Sequence, residues 1–487
     1  MAKRIFRSFA STVHPSTLIA ALAPVWIALI PTVLHANTIT VNTLGDPGPS
    51  GTCDLRDAIT NANNKNQSGS ASCVAGSGID TIVFSVSGAI TLASDLTPVA
   101  NASGGSLTIN GGGSITIDGS SAAVFVVNPG ATLNLDELTI TDGRATYGGG
   151  LKNLGTATVT NCTFSDNGAL SGGAINNNSA GAALTVINST FVDNGANSFG
   201  GAIENAGTAT VTNCTFSDNG ANIGGGIDNS GTLALGSSSF SDNSAISSGA
   251  AIFNSFKLNV RNSILANSTS GGNCSLLCHA IVDGGYNISD DNSCGFTGTG
   301  ANGKPIGDNV NNANIKLGEL ADNGGFTETF ALGTGSYAID AIPKARCLST
   351  DQRGAPRPDP GDIFSPACDI GSFESGNLVW IGPPSLDFGT VKVGQRSAPM
   401  TVMLNNQSEQ NLNIRNWSTG ANYSIVATTC PPPPSILPSG DSCTFDIIFR
   451  PIYAGVRNEL FQVNDNLVGG KQTANLRGLA TNGSASR

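Results

Sequence analysis

The apolar positions of this chain recur at a long, nearly fixed interval. Asn161-Cys-Thr-Phe-Ser-Asp-Asn167 returns as Asn188-Ser-Thr-Phe-Val-Asp-Asn194 and again as Asn213-Cys-Thr-Phe-Ser-Asp-Asn219. Looser copies surround Ile140, Phe240 and Leu265. Aligned on Ile140, Phe164, Phe191, Phe216, Phe240 and Leu265, the spacings are 24, 27, 25, 24 and 25 residues. A second series keeps the same period: Gly149-Gly-Leu-Lys-Asn153, Gly173-Ala-Ile-Asn-Asn177, Gly201-Ala-Ile-Glu-Asn205 and Gly225-Gly-Ile-Asp-Asn229. Such a period marks a solenoid. Each repeat holds three short β-type stretches and no 3.6-residue apolar spacing, which predicts a parallel β-helix rather than helical repeats.

Stacking coils about 4.8 Å apart turns equivalent residues into columns. Phe164, Phe191, Phe216 and Phe240 are expected to stack inside. Asn153, Asn177, Asn205 and Asn229 are expected to form an internal amide ladder. Cys162 and Cys214 fall two coils apart, about 10 Å, too far for a disulfide, and read as buried free thiols. At the start of the solenoid, Asp54 is placed to cap a short helix whose face Leu55, Ala58, Ile59 and Ala62 covers the first coil. An open end would otherwise recruit other chains.

Composition agrees with strands and tight turns. Glycine reaches 62 of 487 residues, charged residues are 12% and aromatics 6%. Neither the strict glycine repeat of collagen nor the charge of a disordered chain is present. The N-terminus reads as a secretory signal: Lys3, Arg4 and Arg7 precede an apolar run from Leu18 to Leu34, with cleavage after Ala36. No later segment is expected to span a bilayer. Export places the chain outside the cell or on the outer surface of a bacterium, where its eleven cysteines can pair. The local pairs are Cys53 with Cys73, Cys347 with Cys368, and Cys430 with Cys443, while Cys274, Cys278 and Cys294 leave their pairing open. Removal of the signal takes the formal charge from −11 to −14, which argues against nucleic acid as a partner.

Cys53-Asp-Leu-Arg-Asp-Ala-Ile59 resembles the CSLREA motif that opens many bacterial β-helix proteins, with Asp54 and Asp57 in place of Ser and Glu. The stretch 285–374 resembles the choice-of-anchor Q domain through Gly285-Tyr-Asn-Ile, Leu317-Gly-Glu-Leu-Ala-Asp-Asn-Gly-Gly325, Thr350-Asp-Gln-Arg-Gly354 and Cys368-Asp-Ile-Gly-Ser-Phe-Glu374. Phe330 stands where that family commonly has His. After Gly376, Leu386-Asp-Phe-Gly-Thr-Val-Lys-Val-Gly394 and Ser442-Cys-Thr-Phe-Asp-Ile-Ile-Phe-Arg-Pro451 resemble the choice-of-anchor D, or ASPM-SPD-2-Hydin-like, immunoglobulin-type domains. The expected architecture is all-β: a signal (1–36), a cap with first strands (37–105), right-handed parallel β-helix coils (106–273), a closing region (274–376) and an immunoglobulin-like β-sandwich (377–487). These resemblances imply exported architecture without implying a reaction.

Two columns are the candidates for chemistry. Lys152, Asn176, Glu204, Asp228 and Phe253 are expected on the outer face of one strand, so that Glu204 and Asp228 offer a carboxyl pair of the kind a retaining glycosidase uses. The alternative is two solvated surface charges, favoured because no Arg, His or aromatic platform accompanies them. Asp142, Asp166, Asp193, Asp218 and Asp242 form the second column. It reads either as Asx-type turns or as hard oxygen ligands for calcium between coils, although the Gly-Gly-x-Gly-x-Asp calcium repeat is absent. His279 is the only histidine beyond the signal, so Ser/His/Asp catalysis is poorly supplied. No cofactor is implied. The expectation is a noncatalytic scaffold binding an extracellular polysaccharide or another surface, with a polysaccharide-active enzyme as the competing reading.

Overall fold

Left-handed backbone corners shape each coil. Asn161, Asp166 and Gly172 have φ of 52°, 55° and 65°, and the following coil repeats the triplet at Asn188, Asp193 and Gly200. Asn, Asp and Gly are the residue types that reach this region at least cost. Between these corners run the strands Thr156–Thr160, Thr163–Ser165, Gly168–Ser171 and Ile175–Asn177. From Thr156 to Asn254 each coil therefore carries four strands rather than the three that the sequence suggests. The additional strand, here Gly168–Ser171, is rich in Gly and small residues and reads as a turn from sequence alone.

The computed structural model describes residues 36–101, 105–277, 281–358, 367–376, 379–406, 411–466 and 471–482. Within them the chain is all-β, with a right-handed parallel β-solenoid of about eight turns followed by the sheets of a β-sandwich. The expected signal, apart from Ala36, lies outside the described residues, as do Cys278 and His279. The parallel ladder begins at Ala36–Val41, which pairs with Ile79–Phe84, and continues through the coils to Ile288–Ser289 and Pro305–Gly307.

Register follows the sequence alignment. Phe164 pairs with Ile140 and Phe191, Phe191 with Phe216, and Phe216 with Phe240. The rings stack with centroids 5.3, 4.8 and 4.3 Å apart. Asn153 donates to Asn177 at 2.8 Å, and Asn177 to Asn205, Asn205 to Asn229 and Asn229 to Asn254 at 2.7 Å. A second ladder, not anticipated from sequence, joins Asn167, Asn194, Asn219 and Asn243 at 3.0 Å per step. Each of these residues follows a corner aspartate and turns its amide inward. A satisfied buried amide contributes about 1 kcal/mol net, whereas an orphaned one costs about 1–3 kcal/mol.

The helix Leu55–Asn64 covers the first coil with Leu55, Ala58, Ile59 and Ala62 buried, and the Asp54 side chain accepts from the Asp57 N–H. Cys53–Cys73, Cys347–Cys368 and Cys430–Cys443 are disulfides, and Cys274 pairs with Cys294. Cys162 and Cys214 are free and buried, with the Ser189 column position between them. Burial pushes both thiols up, Cys214 to about 12.

Beyond Gly307 the chain runs back along the outside of the coils. Thr190, Thr215 and Ser239 are the outward residues of consecutive coils, yet all are buried. Gln352 donates to Thr190 at 2.8 Å and accepts from Thr215 at 2.7 Å, while the Ser372 N–H donates to the Ser239 hydroxyl at 3.0 Å. The segment is held internally by buried Arg353, which pairs with Asp351 at 2.7 Å and lies over the rings of Phe373 and Trp380. Trp380 already belongs to the sandwich. One of its sheets joins Val379–Gly382, Met400–Asn406, Ser442–Phe449 and Tyr423–Thr428; the other is built on Ser385–Lys392, Lys471–Thr481 and Gly455–Asn464. Phe445, Phe449 and Phe461 fill the space between them.

Candidate functional site

The column Lys152, Asn176, Glu204, Asp228 and Phe253 is in register as the sequence predicts. Its exposure is not. Glu204 is 9% exposed and Asp228 6%, which corrects the expectation of an accessible carboxyl pair. The fourth strand of these coils lies against the column, where the Asn176 amide donates to the Ser171 carbonyl at the end of one such strand. Those strands, Arg144–Tyr147, Gly168–Ser171, Gly195–Phe199, Gly220–Ile223 and Ser244–Ser248, pair with one another into a separate sheet, here termed the arm.

Each arm strand turns back against the strand that carries the column. Gly200 (φ 62°) sits where a side chain would lie 2.3 Å from the Ile203 carbonyl and 2.7 Å from the Glu204 nitrogen. Gly224 (φ 68°) is packed in the same way against Ile227 and Asp228. Only glycine fits there, on both conformational and steric grounds. Asn176, itself buried, donates from Nδ2 to the Glu204 carboxylate. Its Oδ1 has no hydrogen-bond partner.

Burial sets the electrostatics of the pair. It raises the Glu204 carboxyl above its usual range. The Asp228 carboxyl is pushed up to about 7, first by burial and then by repulsion from Glu204. A carboxyl that keeps its proton near neutrality has the property a glycosidase acid requires. This one is enclosed, however, between Glu204 and the Phe253 ring of the next coil.

The aspartate column is reassigned by its backbone. Asp142, Asp166, Asp193, Asp218 and Asp242 all occupy left-handed corners, with φ between 53° and 60°. The expected Asx turns are not formed. Instead Asp142, Asp218 and Asp242 accept from the hydroxyls of the preceding Thr141, Ser217 and Ser241. Burial, and then repulsion from Asp218 and Asp166, raises the Asp193 carboxyl. Among the described residues no three His, Cys, Asp or Glu side chains converge as metal ligands. The column therefore runs along the solenoid without gathering into the calcium site considered from sequence.

The arm also supplies the accessible feature of this face. A groove of about 770 Å³ is lined by Asp166, Asp193, Gly168, Gly195, Leu170 and Asn197, among others. On the same arm Tyr147, Leu170, Phe199 and Ile246 are exposed, Phe199 at 42% and Ile246 at 85%. Lys152 lies over the Tyr147 ring at 5.4 Å. Sequence reasoning missed this surface because its residues follow no identity repeat. The available signal was a single large apolar residue four to six positions after each corner aspartate.

Residues 122–299 match the family described as "right handed beta helix region". No curated protein matches the sequence. Among solved structures, the ASH/PapD-like domain of human CEP192 is similar at 20% identity, over 22% of this chain and 88% of that one, with a TM-score of 0.18. The secreted serine protease VesC from Vibrio cholerae is 20% identical over 19% of this chain and 21% of its own, with a TM-score of 0.17. WR4, a C. elegans MSP family member, is 12% identical over 21% of this chain and 98% of its own, with a TM-score of 0.16. These scores carry no functional argument. The match over 122–299 supports a right-handed β-helix for the coil region.

Proposed function

We propose that this protein is a noncatalytic, exported β-helix scaffold that holds an extracellular polysaccharide along its arm. The observation that carries this reading is the groove, with Leu170 in its lining and Tyr147, Phe199 and Ile246 exposed on the same arm. Apolar and aromatic groups beside an open polar groove suit a sugar chain, which presents apolar ring faces and polar edges together. Enclosure of Glu204 and Asp228 beneath the arm weighs against the glycosidase alternative, since a general acid must reach the bond it protonates. The CSLREA-like heptad, the choice-of-anchor Q-like stretch and the immunoglobulin-like sandwich fit an exported protein that is displayed or released at a bacterial surface.

The test is a glycan array and co-sedimentation with insoluble polysaccharides, run beside reducing-end and unsaturated-uronate assays on the full chain. The expected outcome is retention by at least one polymer without cleavage, with retention weakened by Phe199→Ser and kept by Glu204→Gln. Cleavage of any polymer that disappears in Glu204→Gln would overturn the noncatalytic reading.

A further inference from the structure

Glu204 and Asp228 are neighbours on adjacent coils, both enclosed where the arm folds back, and neither is paired with a cation. Stacked carboxyls in such a place are tolerated only while at least one is protonated. Among the described residues no cation around them offers relief, and of the two carboxyls the Asn176 amide donates to Glu204 alone. Within the column, the flanking coils contribute the Asn176 amide and the Phe253 ring, and Lys152 stands two coils away from Glu204, over Tyr147. The arm strands Gly168–Ser171, Gly195–Phe199, Gly220–Ile223 and Ser244–Ser248 contain no titratable side chain. The corner aspartates Asp166, Asp193, Asp218 and Asp242 precede those strands, and any charge they contribute is of the wrong sign. The one charged group that acts appreciably on Asp228 is Glu204.

We infer that Glu204 and Asp228 form a proton-controlled latch, holding the arm against the coils in mildly acidic surroundings and loosening it toward neutrality. This inference does not depend on what the arm binds. It concerns the middle of the arm, Gly195–Phe199 and Gly220–Ile223, because those strands turn back at Gly200 and Gly224 onto the two carboxyl-bearing strands.

The direction follows from proton linkage. When the arm opens, water reaches both carboxyls and their affinity for protons returns to the usual range. Below about pH 4 the Asp228 carboxyl is protonated in both states, so opening is independent of pH. Between there and its closed-state value of about 7, the closed arm holds a proton that the open arm releases. Opening then rises with pH, by up to about tenfold per unit for one group, and levels off above it.

Hydrogen–deuterium exchange on the full chain at pH 5 and pH 7.5 reads this directly, once rates are expressed as protection relative to the unstructured peptide. Peptides covering 195–201 and 220–225 are expected to lose at least about tenfold in protection between the two conditions. Peptides from the Phe-bearing strands 163–165 and 190–192 should change less than threefold, about the scatter of the measurement. In the double variant Glu204→Gln/Asp228→Asn the arm peptides should keep their protection at both pH values. Should that variant not fold, Asp228→Asn alone serves, with at least half of the logarithmic change removed. Equal arm protection at both pH values in the native chain would overturn the latch, as would a loss shared equally by all coils or one that persists in the variants.

Discussion

The two flanks of the coils differ in what lies on them. On one, the polar outward residues Thr190, Thr215 and Ser239 are buried beneath Glu328, Gln352 and Ser372, which bond to them. On the other, the outward residues of the arm include Leu170, Phe199 and Ile246, which are apolar and stand in solvent. Polarity taken alone would have assigned these flanks the other way round. The covered flank can be polar because each hydroxyl finds a specific partner on Gln352, Glu328 or Ser372. Among the described residues no such segment lies on the bare flank, and its apolar side chains stand exposed. Inside an interface, hydrogen-bond satisfaction decides what is tolerated, and outside one, exposed apolar surface is the informative departure.

Removing the anchor of the covering segment is the strongest way to break this contrast. Arg353→Met leaves Asp351 buried without its partner and strips the guanidinium from Phe373 and Trp380. A loss of about 3–5 kcal/mol is expected in chemical denaturation. Thr215→Val tests the seam itself, since it orphans the Gln352 Oε1 and removes the contact with Ser372. It should cost about 1–3 kcal/mol by the same measurement. Phe199→Ser on the bare flank should leave stability within about 0.5 kcal/mol while weakening retention by polysaccharide. A loss of several kcal/mol there would mean that Phe199 is part of the core and that the flanks are not different in kind.

Much of the coil interior could be read from sequence because each coil repeats the task of the last. Phe164, Phe191 and Phe216 fill one position in successive coils, so their spacing reports the stacking directly. The same holds for Asn153, Asn177, Asn205 and Asn229, and for the register that brings Glu204 beside Asp228. The aspartate column was read as a column and set at bends, but its left-handed backbone was not foreseen. A left-handed φ leaves no trace in the sequence beyond a preference for Asn, Asp and Gly, and that preference also fits metal ligands and Asx turns. The arm was missed because Gly-Ala-Leu-Ser and Gly-Ala-Asn-Ile have little strand propensity of their own and are held as strands by the coils on either side.

The sequence by itself determined the period, the inward stacks, the helix that covers the first coil and three of the disulfides, since all are set by residues near in sequence or one repeat apart. Tertiary structure decided which outward positions meet water. Thr215 is buried by Gln352, 137 residues later in the chain, and Glu204 is enclosed where the arm turns at Gly200, a segment with no apolar pattern to announce it. A side chain's direction follows from local backbone geometry, but its exposure depends on whatever else the chain brings to that side, and no periodicity encodes a contact made only once.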